Sequence, residues 1–315
     1  MGGVEALSAL AAQFPADLPA TVLVVQHTFA HSPGLLGEIL DRNGPLAATV
    51  ARDRMPLERG RIYVAPPDRH LLLTEQGLRV VYGPRENRSR PAIDPLFRTA
   101  AVHFRSRVIG VVLTGLLGDG AAGLLAVERC GGAAVVQTPD DAAYPEMPTR
   151  ALAAVPTARQ VPLADLGLLL AKLAAEEAPV PPPVPEAIRI EARLTERAMA
   201  NDDWGQVPTS PTDFTCPECN GAIRKIHDEP TGRFRCRVGH AYSADDFVAA
   251  KESGIEEALW LALQSLQEQA QILETLASED LARGRTRSAP GYQERARDMR
   301  AAAARLHELV AQLAA

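Results

Sequence analysis

The hydrophobic pattern of residues 1–178 switches repeatedly between two periods. Short apolar runs alternate with longer stretches whose apolar residues recur every three or four positions. The short runs predict strands at Thr21–Gln26, Ala47–Ala51, Arg61–Ala65, Val108–Leu113 and Ala133–Gln137. The longer stretches predict helices at about Gly3–Gln13 and at His31–Arg42, Ile93–Phe104, Ala121–Cys130, Met147–Ala154 and Leu163–Glu177. Between Leu71 and Val81, "LLLTEQGLRVV" predicts a hairpin turning at Gln76-Gly77. Ser32 followed by Pro33 reads as a capped helix start. The run "VIGVVLTG" is apolar on both faces, as a parallel strand covered by helices must be. This alternation predicts a doubly wound α/β domain over residues 1–178.

The pattern breaks at Ala178. Five prolines lie between Pro179 and Pro185, which predicts a semi-rigid spacer opening a linker over residues 179–213. A small Cys/His module follows at residues 214–242, then a helical region over 243–315. There Leu259, Ala262, Leu263, Leu266, Ala270, Leu273 and Leu276 recur at helical spacing from Ser243 to about Arg283. Ser243 and Asp246 form a capping box, with Asp in place of the usual Glu. A second helix, about Tyr292–Leu313, carries Met299, Ala303, Leu306, Val310 and Leu313. The two stripes predict an antiparallel hairpin with a shared core; a helix-mediated oligomer is the less favoured use.

Charge and composition narrow the function. A net charge of −6 argues against nucleic acid as partner, since phosphate binding needs a basic surface. No apolar run is long enough to span a membrane, and Met1 is followed by no signal-peptide pattern, so a cytoplasmic protein without membrane insertion is expected. Four cysteines in 315 residues suit reduced thiols or metal ligands better than a disulfide scaffold.

Three of those cysteines fall in one motif. Cys216 and Cys219 form a CxxC pair; Cys236 and His240 follow sixteen residues later. The pairs complete a tetrahedral Cys3His shell with no open position, which predicts structural zinc rather than a catalytic metal. Arg224, Lys225, Arg233, Arg235 and Arg237 make the module locally basic, read as a solvated face.

Three further features bear on chemistry. "GDGAAG", Gly118–Gly123, follows a strand and opens a helix, so a dinucleotide-binding loop is one reading. The four residues "TGLL" lengthen that turn beyond what the fingerprint needs. His27 and Asp119 each lie just past a strand C-terminus, where a doubly wound sheet places its chemistry. A His and an Asp so placed are two-thirds of a hydrolase triad: the base, and the carboxylate that orients it. His70 and Cys130 read as structural, and Arg88 and Arg90 as loop residues facing the cleft.

The segments "GGVEAL", "VVQH", "GRIYVAPPDRHLLL", "NRSRPAIDPLFRT", "GVVLTGLLGDGAAGL" and "PEMPTRAL" occur in the order found in chemotaxis protein-glutamate methylesterases, and residues 1–178 resemble their catalytic domain. The resemblance implies a doubly wound fold, a Ser-His-Asp triad, and removal of methyl groups from glutamate esters of chemoreceptors with no catalytic cofactor. It places the triad His at His27 and the Asp at Asp119, and an oxyanion site and cleft wall at Leu116, Gly2, Gly3 and Met147. It also puts the nucleophilic Ser one residue ahead of Met1, on a strand preceding "GG". Without that Ser the chain is expected to be inactive. An inactive interaction module of the same fold is the alternative, and a dinucleotide-binding domain the third.

Overall fold

A computed structural model describes residues 2–196, 208–227 and 232–313. Met1 and residues 197–207 of the expected linker lie outside them. In chain order the elements are α1 (Gly2–Ala11), β1 (Thr21–Val24), α2 (Leu36–Asn43), β2 (Ala47–Val50), β3 (Arg61–Val64), β4 (His70–Thr74), β5 (Gly77–Val81) and α3 (Ile93–Phe104). Then come β6 (Ile109–Val112), α4 (Ala121–Arg129), β7 (Ala133–Gln137), α5 (Glu146–Ala154), β8 (Arg159–Val161), α6 (Leu163–Ala175) and α7 (Glu186–Glu196). The rest is β9 (Thr209–Thr215), β10 (Ala222–Ile226), β11 (Arg233–Cys236), β12 (Ala241–Ser243), α8 (Ala244–Ala282) and α9 (Ala289–Leu313).

The expected parallel sheet is present in two halves. One has the order β1-β3-β2, the other β6-β7-β8, and every pairing in both is parallel. Helices cover both faces, as the doubly apolar strands require. Leu10, Phe14, Leu36, Leu40, Leu166 and Leu170, from α1, α2, α6 and the loop after α1, pack on one face with Ile62 and Val64. Leu124, Met147 and Ala151, from α4 and α5, pack on the other with Val112 and Val136. Tyr63, between Ile62 and Val64, points to that second side, the alternation that strand geometry imposes.

The two halves do not pair with each other. β1 pairs only with β3, and β6 only with β7, so each keeps one edge without a ladder partner among the described residues. Between them lies a cavity of about 480 Å³. β1 lines it with Thr21–Val24, β6 with Ile109 and Val111, α1 with Leu7 and Leu10, and α6 with Leu170.

Two local expectations are corrected. Ser32 does not cap α2, which starts at Leu36 with Leu35 before it. Gly34 has φ +70°, a left-handed conformation that a right-handed helix cannot contain, so the helix begins beyond it. The hairpin turns at Glu75-Gln76 rather than Gln76-Gly77, because Thr74 pairs with Gly77. β8 was not expected.

The segment expected to be a linker is in part a packed helix. α7 buries Ile188, Ile190 and Leu194; Ile190 and Leu194 meet Ile226 of β10. A buried ion network ties α7 to α3 and to the antiparallel sheet β12-β11-β10-β9. Arg98 Nη2 donates to both oxygens of Glu86 at 2.7 and 3.0 Å, and Arg98 Nη1 lies 3.4 Å from Glu191. Arg233 Nη1 lies 3.1 Å from Glu191, and Arg235 Nη2 lies 4.0 Å from Glu86. Arg233 and Arg235 are therefore buried members of this network, not the solvated face the sequence suggested. One compact unit runs accordingly from Met1 to Phe247.

The second unit, Val248–Ala315, is the helical hairpin. Leu263, Ala270, Leu273 and Ala277 of α8 are buried, as are Ala289, Ala296, Ala303 and Val310 of α9. The α8 seam steps by seven, three and four residues and the α9 seam by seven throughout, the heptad spacing of coiled-coil packing. Arg300 pairs with Glu274 at 2.5 Å, and the Trp260 and His307 rings meet edge to face. Leu276, expected in the stripe, is 39 % exposed; Ala277 holds its place.

Candidate functional site

His27 and Asp119 meet. The imidazole Nε2 lies 2.7 Å from Asp119 Oδ2. His27 sits just past the C-terminus of β1, and Asp119 lies in the loop between β6 and α4. Asp119 is 2 % exposed and is held from several sides. Its carboxylate accepts from the backbone N–H of Ile93 at 2.6 Å, Asp94 at 3.2 Å and Gly120 at 3.0 Å, and from Asn87 Nδ2 at 2.9 Å. Burial alone would raise its pKa; the His27 bond and charge, with the Ile93 and Asn87 donors, outweigh this and hold it below the ordinary carboxylate value. An ionised Asp119 only accepts, so Nε2 carries the imidazole proton and Nδ1 is left as the base. Burial lowers the His27 pKa, but the bond to Asp119 and the charges of Asp119, Asp246 and Asp94 raise it on balance.

Asp94 has no counterpart in the sequence expectation. It is buried at the start of α3 and accepts from the N–H of Gly120 at 3.1 Å and Gly123 at 2.6 Å. Burial, then the charge of Asp119, pushes its pKa up to about 7. These bonds also dispose of the dinucleotide reading. In such a loop the N–H groups at the helix start must face a pyrophosphate. Here Asp94 and Asp119 already occupy them, and the loop holds the dyad. Asp94 and Asn87 both fall in the segment "NRSRPAIDPLFRT" that carries the family resemblance, a signal that attaches no role to either.

The His27 ring lies where two cavities meet. One is the apolar slot between β1 and β6, which Gly3, Leu116 and Met147 also line. The other is a polar cleft lined by Phe29, Asp68, Arg85, Arg88 and Arg90. The first helix comes close to this point because it opens on glycine: a Cβ on Gly3 would lie 2.7 Å from Gln26 Oε1, and one on Gly2 2.8 Å from Ala143 Cβ. Met147 N–H donates to Gly115 O at 3.0 Å, fixing α5 against the loop that carries Leu116. Leu116 itself is 53 % exposed. Among the described residues no hydroxyl hydrogen-bonds the His27 ring. Thr114 Oγ1 is engaged with the backbone of Tyr144.

Of the arginines expected to face the cleft, Arg90 is committed internally. It donates to Asp68 Oδ1 at 2.9 and 2.7 Å and to Gly83 O at 2.7 Å, and lies 3.7 Å from the Tyr82 ring centroid. His70 is structural as expected: Nε2 lies 2.8 Å from Pro84 O, and Nδ1 accepts from Ala92 N–H at 3.2 Å.

The Cys/His module brings its four residues together. One ligand atom each from Cys216, Cys219, Cys236 and His240 lies within 4.8 Å of all the others, a group able to hold a metal ion. His240 Nδ1 lies 3.6 Å from Cys216 Sγ and 3.5 Å from Cys236 Sγ; Cys219 and Cys236 sulfurs are 3.7 Å apart. Zinc–ligand bond lengths in a tetrahedron require about 3.6 Å between S and N and about 3.8 Å between two S atoms. The donor set and spacing fit that metal. His227 is exposed and outside the group.

The family model described as CheB methylesterase matches residues 1–170. A putative protein-glutamate methylesterase/protein-glutamine glutaminase of Leptospira interrogans is 37% identical over 154 residues, 49% of this chain and 80% of that protein. A protein-glutamate methylesterase/protein-glutamine glutaminase of Anaeromyxobacter dehalogenans is 41% identical over 155 residues, 49% of this chain and 45% of the relative. The crystal structure of the Thermotoga maritima CheB methylesterase catalytic domain superposes with a TM-score of 0.52 at 27% identity, covering 55% of this chain and 93% of that one.

Proposed function

Because the chain belongs to the CheB methylesterase family, we propose that it is a hydrolase of protein glutamate methyl esters, with His27 as base and Asp119 as its orienting carboxylate. The observation that carries the reading is the 2.7 Å His27–Asp119 contact at the mouth of the slot between β1 and β6. In this reading a further parallel strand seats in the slot, ladders with both edges, and delivers a hydroxyl to His27 Nδ1. His27 takes the hydroxyl proton as the oxygen attacks the ester carbonyl. It then returns the proton to the departing methoxide, which leaves as methanol. Water, activated the same way, cleaves the acyl-enzyme to free glutamate and restores the hydroxyl. The loop at Leu116 and the first turn of α1 at Gly2 and Gly3 supply the oxyanion site, and Met147 the cleft wall. The same acyl transfer serves glutamine deamidation, the second activity in the relatives' names.

The substrate in this reading is a methylated chemoreceptor, met in the cytoplasm, where the four free cysteines stay reduced. No described helix is long and apolar enough to cross a membrane. The Cys3His group holds structural zinc, its closed shell leaving no position for substrate. Purified chain should carry one equivalent of zinc, and Cys236→Ser should lose it; metal content below half an equivalent in the unaltered chain would sink this part.

The catalytic reading is tested with the chain extended at its N-terminus by a family strand that carries the nucleophilic Ser. It should release methanol from methylated receptor, and His27→Ala should lower the rate by about 10⁴-fold or more. An extended chain that folds and binds receptor but releases no methanol would leave only an interaction module of this fold.

A further inference from the structure

Asn87 joins the dyad to the Cys/His module, and every polar group of its side chain is used in doing so. It is 5 % exposed. Nδ2 donates to Asp119 Oδ1 at 2.9 Å and to Asp94 Oδ2 at 2.7 Å. Two carboxylate acceptors fix which end of the amide is nitrogen. Oδ1 accepts from Ser243 N–H at 3.0 Å. The Asn87 backbone N–H donates to Ala241 O at 2.8 Å, and Ala241 N–H donates to Arg85 O at 3.3 Å. The residue adopts φ +48°, which Asn tolerates better than most side chains.

The module side of this link is short. β12 starts one residue after the ligand His240 and ends at Ser243. Tyr242, between them, places its hydroxyl 3.4 Å from Cys216 Sγ. Ser243 then caps α8: its Oγ accepts from Asp246 N–H at 3.1 Å and donates to the Asp246 carboxylate. In a complete capping box the acidic side chain would take the cap residue's own N–H. Here that N–H goes to Asn87 instead. The cap also presses on the dyad loop, since a Cβ on Gly118 would lie 3.0 Å from Ser243 Oγ and 3.2 Å from Asp246 Oδ2.

Asn87 therefore does two things for Asp119. It supplies a side-chain donor beside the backbone N–H groups, and it bridges the two buried carboxylates by bonding to both. Without that donor the Asp119 carboxylate is less well held as the anion, free to take up a proton or turn, and its contact with His27 weakens. We infer that Asn87 is a positioning residue for the His27–Asp119 dyad, held in place by β12, so that metal occupancy of the Cys/His module tunes the dyad through it.

The inference rests on the proposed role of the dyad, but its test needs no turnover. Its failure is therefore distinguishable from failure of the esterase reading. The readout is the titration of the His27 imidazole, followed by NMR of the full chain with labelled histidine and bound Zn²⁺. Charged groups near the dyad besides Asp119 are Asp94 on α3, Asp246 on α8, the Asp68, Arg85, Arg88 and Arg90 side chains that line the cleft with His27 and, acting on Asp246, Arg150. None of these is altered. Asn87→Gly keeps the left-handed backbone accessible and deletes only the amide. It should move the His27 midpoint down toward 6.5 by at least about half a unit. Chelating Zn²⁺ from the unaltered chain should move it the same way, reversibly on Zn²⁺ return, and should add nothing further in Asn87→Gly. A folded Asn87→Gly chain with an unmoved midpoint overturns the positioning role. Equal chelation shifts in both chains overturn the route through Asn87. Should the Asn87→Gly chain not fold, chelation and Zn²⁺ return on the unaltered chain decide it: a static midpoint, or no uptake of Zn²⁺, overturns the inference.

Discussion

Asp94 is a buried acid that keeps its proton into the neutral range, and the consequence for stability has a definite sign. Its folded pKa is about 7 against an ordinary 3.8. Between those values the folded chain binds a proton that the unfolded chain has released, so stability falls as pH rises across the window. Asp94→Asn removes this slope, up to about 1.4 kcal/mol per pH unit for a single proton. Denaturant midpoints from pH 4 to 7 should therefore decline less steeply in Asp94→Asn than in the unaltered chain. His27, also raised, acts in the same direction above 6.5 and is common to both. At this scale the pairing of His27 with Asp119 was legible, from the segments "VVQH" and "GDG" that carry the family resemblance more than from strand-end position alone. The roles of Asp94 and Asn87 were not. They act by meeting a residue distant in sequence, and no periodicity records such a meeting.

At the scale of elements, the strongly periodic segments were legible, with ends moved by a residue or two: Ile93–Phe104 and Ala133–Gln137 form as expected, while the helix expected from His31 loses its first turns. α7 was hidden for a physical reason. It follows five prolines, is only eleven residues long, and spends buried positions on Glu191 and Thr195, so its apolar face looks too thin to pack. The buried Arg98 and Arg233 that satisfy Glu191 lie elsewhere in the chain. Ile190→Ala should therefore destabilise the first unit by about 2–5 kcal/mol, the range for truncating a buried aliphatic residue. An exposed spacer would give nearly zero in chemical denaturation of the full chain.

At the scale of the first unit, the α/β domain, α7 and the Cys/His module share the ion network of Glu86, Arg98, Glu191, Arg233 and Arg235. Burial would raise the Glu86 pKa, but Arg98, Arg235 and Arg233 outweigh it and hold it at about 2. A depressed acid contributes stability above its unfolded pKa and loses it as pH falls through the folded value. Unfolding below about pH 4.5 should thus steepen toward pH 2, leaving buried arginines short of a counter-charge. In Glu86→Gln this acid limb should flatten, while stability at pH 7 falls, by circular dichroism at each pH. The joint between module and domain was illegible because the basic residues of β11 look like a surface. Their partners Glu86 and Glu191 stand in segments the pattern assigned to a loop and a linker.

The slot between β1 and β6 has a consequence for handling the protein at all. Two parallel edges facing one apolar trough form a template for whatever extended segment reaches it first. In the proposed reading a further parallel strand seals the trough. Without it, the chain becomes a scavenger of β-prone peptides, another molecule's unfolded tail included. Preparations left in that state should gain mass with concentration and time, and a short apolar peptide added in excess should keep them monodisperse.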